Sequence, residues 1–415
     1  MDLRQPPAWL RNLGAVILCL FLINFWSSGI KNALAWGTFL VVVVLHLRAR
    51  GRAEGEHRIP AVSLHLPVAA YVLVALVSSL VCPERALALG DWLKLAELAA
   101  AYVALTTLLG RAEGPQSALR ALAAATAAYL AVDFGRALLL LGSAWTISAE
   151  PTLPTRWNSS LLGYITHAAG VTVTMMFIIA SVGIASRRWW ERIAALVAVL
   201  ISLVMIFVAW QARSAQLGTA AGAVMLAMLL ARRKSVGVAI GCAALAAIIA
   251  GLAVTGGGRW AGGGILSNDR FDLWSKTATQ IAEKPILGHG VGPKVFSRWY
   301  ESIPYDERVV KTPGHPHNMF VQVAYETGGL GLIAWLWIWA ALYRSLWRTW
   351  RGSVGARRTM LAGLMVAFAA FLIYGQFSAA LSLRPTLLFW SLLGLAGATE
   401  ASRRASLTET AQAPA

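Results

Sequence analysis

Thr312-Pro313-Gly314-His315-Pro316-His317-Asn318-Met319 runs directly into Phe320-Val321-Gln322-Val323-Ala324-Tyr325-Glu326-Thr327-Gly328-Gly329-Leu330-Gly331, the opening of a long apolar helix. Pro313 and Pro316 each lack an N–H and push the preceding residue toward extended geometry, so the helix begins after them. Asn318 reads as its N-cap. His317 then sits at the positive end of a helix dipole, which disfavours imidazolium. The ring stays neutral and able to accept a proton near pH 7. Taken alone, the same residues also read as a turn with a hydrogen-bonded histidine, so the rest of the chain has to decide.

Outside this stretch the chain is strongly apolar. Of 415 residues, 58% are hydrophobic and only 13% charged, with a mean hydropathy of +0.62. Soluble domains carry about 25% charged residues. The deficit, with repeated apolar runs, predicts an all-α polytopic membrane protein. A net charge of +17 raises nucleic acid as a partner. The basic residues fall in short clusters between apolar runs, however, as a bilayer sorts them, so nucleic-acid binding is set aside. Cys19, Cys82 and Cys242 form neither a disulfide framework nor a metal motif and read as packing residues.

Twelve spans are predicted, at about 10–29, 31–48, 62–81, 90–110, 117–142, 160–186, 192–211, 214–231, 236–255, 317–343, 359–377 and 385–400. The first is kept as a span because it lacks a small-residue cleavage site. With the N-terminus in the cytoplasm, Lys and Arg favour the inner segments over the opposite short loops by roughly four to one. Both termini are then cytoplasmic. Trp9, Trp26, Trp189, Trp190, Trp347 and Trp350 lie near span ends, as interface anchors do. The expected organisation is 1–255 with nine helices, 256–316 as a periplasmic loop, 317–400 with three helices, and 401–415 as a cytoplasmic tail. That tail is polar and reads as disordered beyond Arg404.

The loop is far longer than ordinary connections. It opens with Gly256-Gly257-Gly258 and Gly262-Gly263-Gly264. Residues 269–284 then read as an amphipathic helix that could lie on the membrane surface, with Phe271, Trp274, Ala278 and Ile281 on one face. Pro285 ends it, Gly288-His289-Gly290-Val291-Gly292-Pro293 reads as a turn, and 294–300 as a second short helix.

Three outer-side arginines are candidate anion clamps, because guanidinium grips phosphate oxygens bidentately and stays charged. They are Arg213 in Gln211-Ala212-Arg213-Ser214, Arg270 at the start of the loop helix, and Arg156 in Thr155-Arg156-Trp157. An arginine at a membrane helix end also snorkels to headgroups, which is the plainer reading of each. Within the spans, Asp133 with Arg136 and Lys94 with Glu97 share i,i+3 spacing. They read as pairs that hide charge from lipid, or as parts of an ion pathway. His315 and His317 lack an acidic partner placed for zinc, and Asp306-Glu307 is a weak divalent-ion candidate. A base, several arginines and a water-facing mouth in lipid together suit a reaction on a lipid-borne diphosphate.

The ordered set Ala212-Arg213-Ser214, Arg270-Phe271-Asp272-Leu273-Trp274, Lys284-Pro285-Ile286-Leu287-Gly288-His289-Gly290 and His317-Asn318 leading to Gly328-Gly329-Leu330-Gly331 resembles the O-antigen ligase and polymerase superfamily of bacterial inner membranes. The resemblance implies a GT-C-like, inverting, metal-independent glycosyltransferase that needs no cofactor. Its donor would be undecaprenyl-diphosphate-linked O-antigen and its acceptor lipid A–core oligosaccharide, joined at the periplasmic face. It implies His317 as general base and Arg213 and Arg270 as diphosphate ligands. Arg156, His315 and Asn318 become candidate substrate contacts. His315 departs from the pattern by offering a second imidazole. Ligase is favoured over O-antigen polymerase and O-linked protein glycosyltransferase because the chain is compact with one dominant outer loop. A lipid-linked oligosaccharide flippase is the reading of a different class; it would need the arginines but no base.

Overall fold

The computed structural model describes residues 60–110, 114–145, 159–160, 163–210, 212–231, 268–304, 314–378, 380–381 and 383–412. In chain order the helices are α1 (His65–Val81), α2 (Arg85–Leu109), α3 (Gly114–Trp145), α4 (Ile165–Ala185), α5 (Trp189–Val204), α6 (Arg213–Leu230), α7 (Asn268–Glu283), α8 (Pro293–Ser302), α9 (Met319–Arg351), α10 (Gly355–Gly375) and α11 (Leu383–Gln412). A two-residue ladder pairs Ser159 with Tyr164 and Ser160 with Gly163 just before α4.

The predicted spans at 10–29, 31–48 and 236–255 lie outside these residues, as do Arg156, Asp306, Glu307, Cys19 and Cys242. Each of the other nine predicted spans falls on a helix. Among the described residues, seven helices are long and apolar enough to cross a membrane. The chain is therefore a multi-pass helical membrane protein. At 17 residues, α1 is shorter than these seven.

The helices group into two compact units. One comprises residues 119–265 and 350–386. In it, α10 packs on α4 and α6 through small residues, as helices do when no hydrophobic force drives them together in lipid. A Cβ on Gly218 would stand 2.9 Å from the Ala370 carbonyl oxygen. The Tyr374 hydroxyl donates to the Thr166 carbonyl, tying α10 to α4. Tyr129 donates to Asp133 at 2.8 Å, which gives that buried carboxylate a partner on its own helix. Trp189 and Trp190 are exposed at the start of α5, as expected of anchors. Trp350 differs: it is buried, with the Arg358 guanidinium 4.5 Å from its ring centre.

The other unit comprises residues 1–118, 266–349 and 387–415. Its aromatic core runs from Tyr71 to Trp335 (ring centres 5.1 Å apart), from Trp335 to Phe389 (5.2 Å) and from Trp339 to Phe389 (5.3 Å). Cys82 is a buried thiol packed with Ala88 and Val295. The Glu400 carboxylate accepts from Ser63 Oγ (2.7 Å), Ser345 Oγ (2.8 Å) and Arg404. This corrects the expected disordered tail: α11 continues to Gln412, with Arg404 one turn beyond the carboxylate it pairs. Lys94 pairs with Asp91 at 2.6 Å, so the expected Lys94–Glu97 pairing gives way to the acid one turn earlier.

Candidate active site

Asn318 caps α9 as expected. Its Oδ1 accepts from the N–H groups of Phe320 (2.9 Å) and Val321 (3.1 Å). Its carbonyl takes the Gln322 N–H at 2.9 Å. His317, one residue outside the cap, has φ of 56°. Among the described residues it alone is a non-glycine with positive φ. That conformation costs roughly 1–3 kcal/mol and persists only where surroundings over-determine it. The His315 and His317 ring centres lie 4.4 Å apart, their planes at 56°.

Arg270 stands in the first turn of α7 and faces this imidazole electrostatically. Burial first, then the Arg270 charge, lowers the His317 pKa to about 4. His317 is thus neutral at pH 7, and more firmly so than the helix dipole alone implies. Trp274, one turn along α7, donates its indole N–H to the Pro316 carbonyl at 2.7 Å.

On α7 the stripe buried against protein differs from the apolar face read from the sequence. Leu273 and Thr277 are fully buried, whereas Phe271 and Ala278 are exposed. The reason is a protein partner: Leu273 joins Phe296, Tyr300 and Tyr325 in one core, flanked by Ile281, Trp299 and Ile303. So α7 packs on α8 and α9, which turns its buried stripe away from the one that sequence alone favours.

A continuous helix was expected through 317–343. The structure breaks it at Gly328, with φ 64° and ψ −163°. The turn after α7 fills the break. His289 N–H donates to Tyr325 O (2.8 Å) and Gly290 N–H to Glu326 O (3.0 Å). Beyond the break, Gly329 N–H donates to Pro285 O (2.7 Å) and Leu330 N–H to Ile286 O (3.3 Å). Ser78 Oγ adds a bond to Glu326 O at 2.6 Å. Backbone groups inside a membrane protein need such partners, since lipid offers none. The contact requires glycine on both sides. A Cβ on Gly328 would come within 2.4 Å of Ile286 backbone atoms, and one on Gly288 within 2.6 Å of Tyr325 O. The His289 ring stacks on Tyr325 at 4.8 Å and bonds the Gln280 carbonyl at 2.7 Å, so it is structural.

Arg213 belongs to the other unit. There, α5 ends in a π-helical turn, Met205–Ala209, a device common at functional sites. Ala212 N–H reaches back to Ile206 O at 3.1 Å, and Gln216 Nε2 reaches the same carbonyl at 3.4 Å. Arg213 follows as the half-buried first residue of α6. Arg270, His315, His317 and Asn318 are thus gathered in one unit, and Arg213 opens a helix of the other. Among the described residues, no group of three His, Cys, Asp or Glu side chains is placed to hold a metal.

Residues 198–336 match the family model described as O-antigen ligase. That match spans about a third of the chain, and over it the chain is similar to the O-antigen ligase family. The matched region runs from α5 to just past the break in α9 and contains Arg213, Arg270, His317 and Gly328. A Rickettsia conorii protein provisionally named as a polysaccharide ligase is 39% identical over 70 residues, covering 16% of this chain and 17% of that relative. Trp274 as an anchor for the turn, and the clasp at Gly328, escaped the sequence reading of this superfamily region. The only signal for the second was Gly328-Gly329 inside an apolar helix.

Proposed function

We propose that the chain is an O-antigen ligase of the bacterial inner membrane, with both termini cytoplasmic and the site at the periplasmic face. The donor is undecaprenyl-diphosphate-linked O-antigen and the acceptor the lipid A–core oligosaccharide. One observation supports the reading above all: a neutral, strained His317 beside Arg270 at a capped helix mouth.

The acceptor hydroxyl attacks the anomeric carbon of the donor sugar. The bond from that carbon to the phosphate oxygen breaks, and undecaprenyl diphosphate leaves with the electron pair. The attack comes from the opposite face, so the configuration inverts. His317 takes the hydroxyl proton. Arg270 holds the negative charge gathering on the diphosphate, and Arg213 is the second candidate for that role. Arg270 thereby links binding to basicity. Without donor it suppresses protonation of His317. Once it is neutralised by phosphate, that suppression lifts and the imidazole becomes a better base. Guanidinium charge opposes the leaving charge, so no divalent ion is required in this reading.

Reconstitution tests it. Purified protein, lipid-linked donor and lipid A–core are mixed, and products are resolved on a gel. A ladder on lipid A–core is the expected result. Lengthening of the donor without acceptor identifies a polymerase, and modification of a protein acceptor identifies a protein glycosyltransferase. Passage of donor across liposomes with no new bond identifies a transporter.

A further inference from the structure

We infer that Trp274 is a positioning residue: through the Pro316 carbonyl it holds His317 in its left-handed backbone conformation beside Arg270. The inference rests on the reading of His317 as the base. Two peptide planes flank His317. The one before it carries the Pro316 carbonyl, which accepts from the Trp274 indole at 2.7 Å. The one after it belongs to Asn318, whose side chain caps the first N–H groups of α9. Fixing both planes fixes the two torsions of His317 between them. Asn318 alone cannot do this, because a cap leaves the preceding residue free to turn.

Trp274 is suited to the task for three reasons. Its ring has a single donor and no acceptor, so the bond has one direction. Pro316 is buried, which strengthens the bond and excludes water as a substitute. And Trp274 shares α7 with Arg270, one turn away, so the same rigid helix carries the diphosphate ligand and the anchor for the base. Their separation is therefore set by helix geometry, and the imidazole is held relative to Arg270 by one bond. The fully buried Leu273 locks that helix onto Phe296, Tyr300 and Tyr325. Among the described residues, the charged and titratable groups facing His317 are Arg270 from α7 and His315 from its own turn.

The test removes the N–H and keeps the shape. Trp274 is replaced by benzothienylalanine, in which sulfur stands for the indole NH, and separately by Phe (W274F). Full-length protein is purified in lipid nanodiscs with ring-labelled histidine. Three quantities are read: the titration of His317 by NMR, donor binding, and single-turnover transfer. In both variants the His317 titration is expected to move to higher pH as the ring drifts from Arg270 and from its buried seat. Transfer is expected to slow about tenfold, with donor binding within about twofold. An unchanged His317 titration overturns the inference whatever the rate does. A shifted titration with unchanged transfer also overturns it, since the position would then not matter to the reaction. The general-base reading itself fails separately: His317→Ala with full transfer, or with transfer and donor binding lost together, removes it, and the NMR titration still reports whether Trp274 sets the ring. If W274F does not fold, the benzothienyl variant decides.

Discussion

Gly329 donates its backbone N–H to the Pro285 carbonyl at 2.7 Å, across a helix broken one residue earlier. The bond joins the loop that carries Arg270 to the span that carries His317 at its mouth. Together with the His289, Gly290 and Leu330 bonds, it makes the turn after α7 a lining for the gap in α9.

Gly328→Ala and Gly288→Ala should therefore lower stability by roughly 2–4 kcal/mol, from left-handed strain plus overpacking against backbone. Both glycines have φ above 60°. Thermal unfolding in detergent measures the loss, and transfer should fall with it because α7 no longer seats on α9. Wild-type melting in both variants would remove the clasp from the account.

Arg213→Lys and Arg270→Lys keep the charge and lose the forked contact with phosphate. Losing a charge-assisted bond of ~1.5–3 kcal/mol should slow transfer roughly 10- to 100-fold. Full activity in both lysine variants would make them headgroup-snorkelling residues. Undiminished transfer in excess chelator is expected alongside, and a strict metal requirement would count against charge balance by arginine alone.

His317→Ala should abolish transfer while donor binding survives, since removing a general base costs ~10²–10⁴ in rate. His315→Ala should do less, because it precedes Pro316 and lies further from the cap. Single-turnover transfer beside donor binding separates the two effects. Joint loss of both in His317→Ala would point to a binding role.

The neutral imidazole is the active form, so activity falls when it gains a proton. With the pKa of His317 lowered to about 4, kcat/KM should be flat through neutral pH and fall only as pH drops toward 4. Donor on Arg270 should move the acid limb of kcat to higher pH. Arg270→Gln should move the limb of kcat/KM the same way, since it removes one cause of the lowered value. An acid limb unaffected by this substitution would show that burial alone sets the value.

The proposed topology places the loop at 256–316 outside and both termini inside. Single cysteines at Gly263 and Gly352 should then react with membrane-impermeant label from opposite sides. Reaction of both from the periplasm would sink the twelve-span arrangement.

The membrane class, the nine spans within the described residues and the cap at Asn318 were legible in the chain itself. Each is a local property: an apolar run that excludes water, or a side chain within reach of the next turn's N–H groups. The short helix α8 and the glycine turn before it were legible for the same reason. Tertiary structure alone decided the rest. The chain pattern could not show that α7 buries Leu273 and Thr277, because the partner surface comes from Phe296, Tyr300 and Tyr325 further along. Nor could it show that Lys94 turns to Asp91, since both its i,i+3 neighbours are acids and packing chose between them. The break at Gly328 and the strained φ of His317 are unfavourable in isolation. They exist because Pro285, Ile286 and Trp274, all distant in sequence, supply the bonds that hold them.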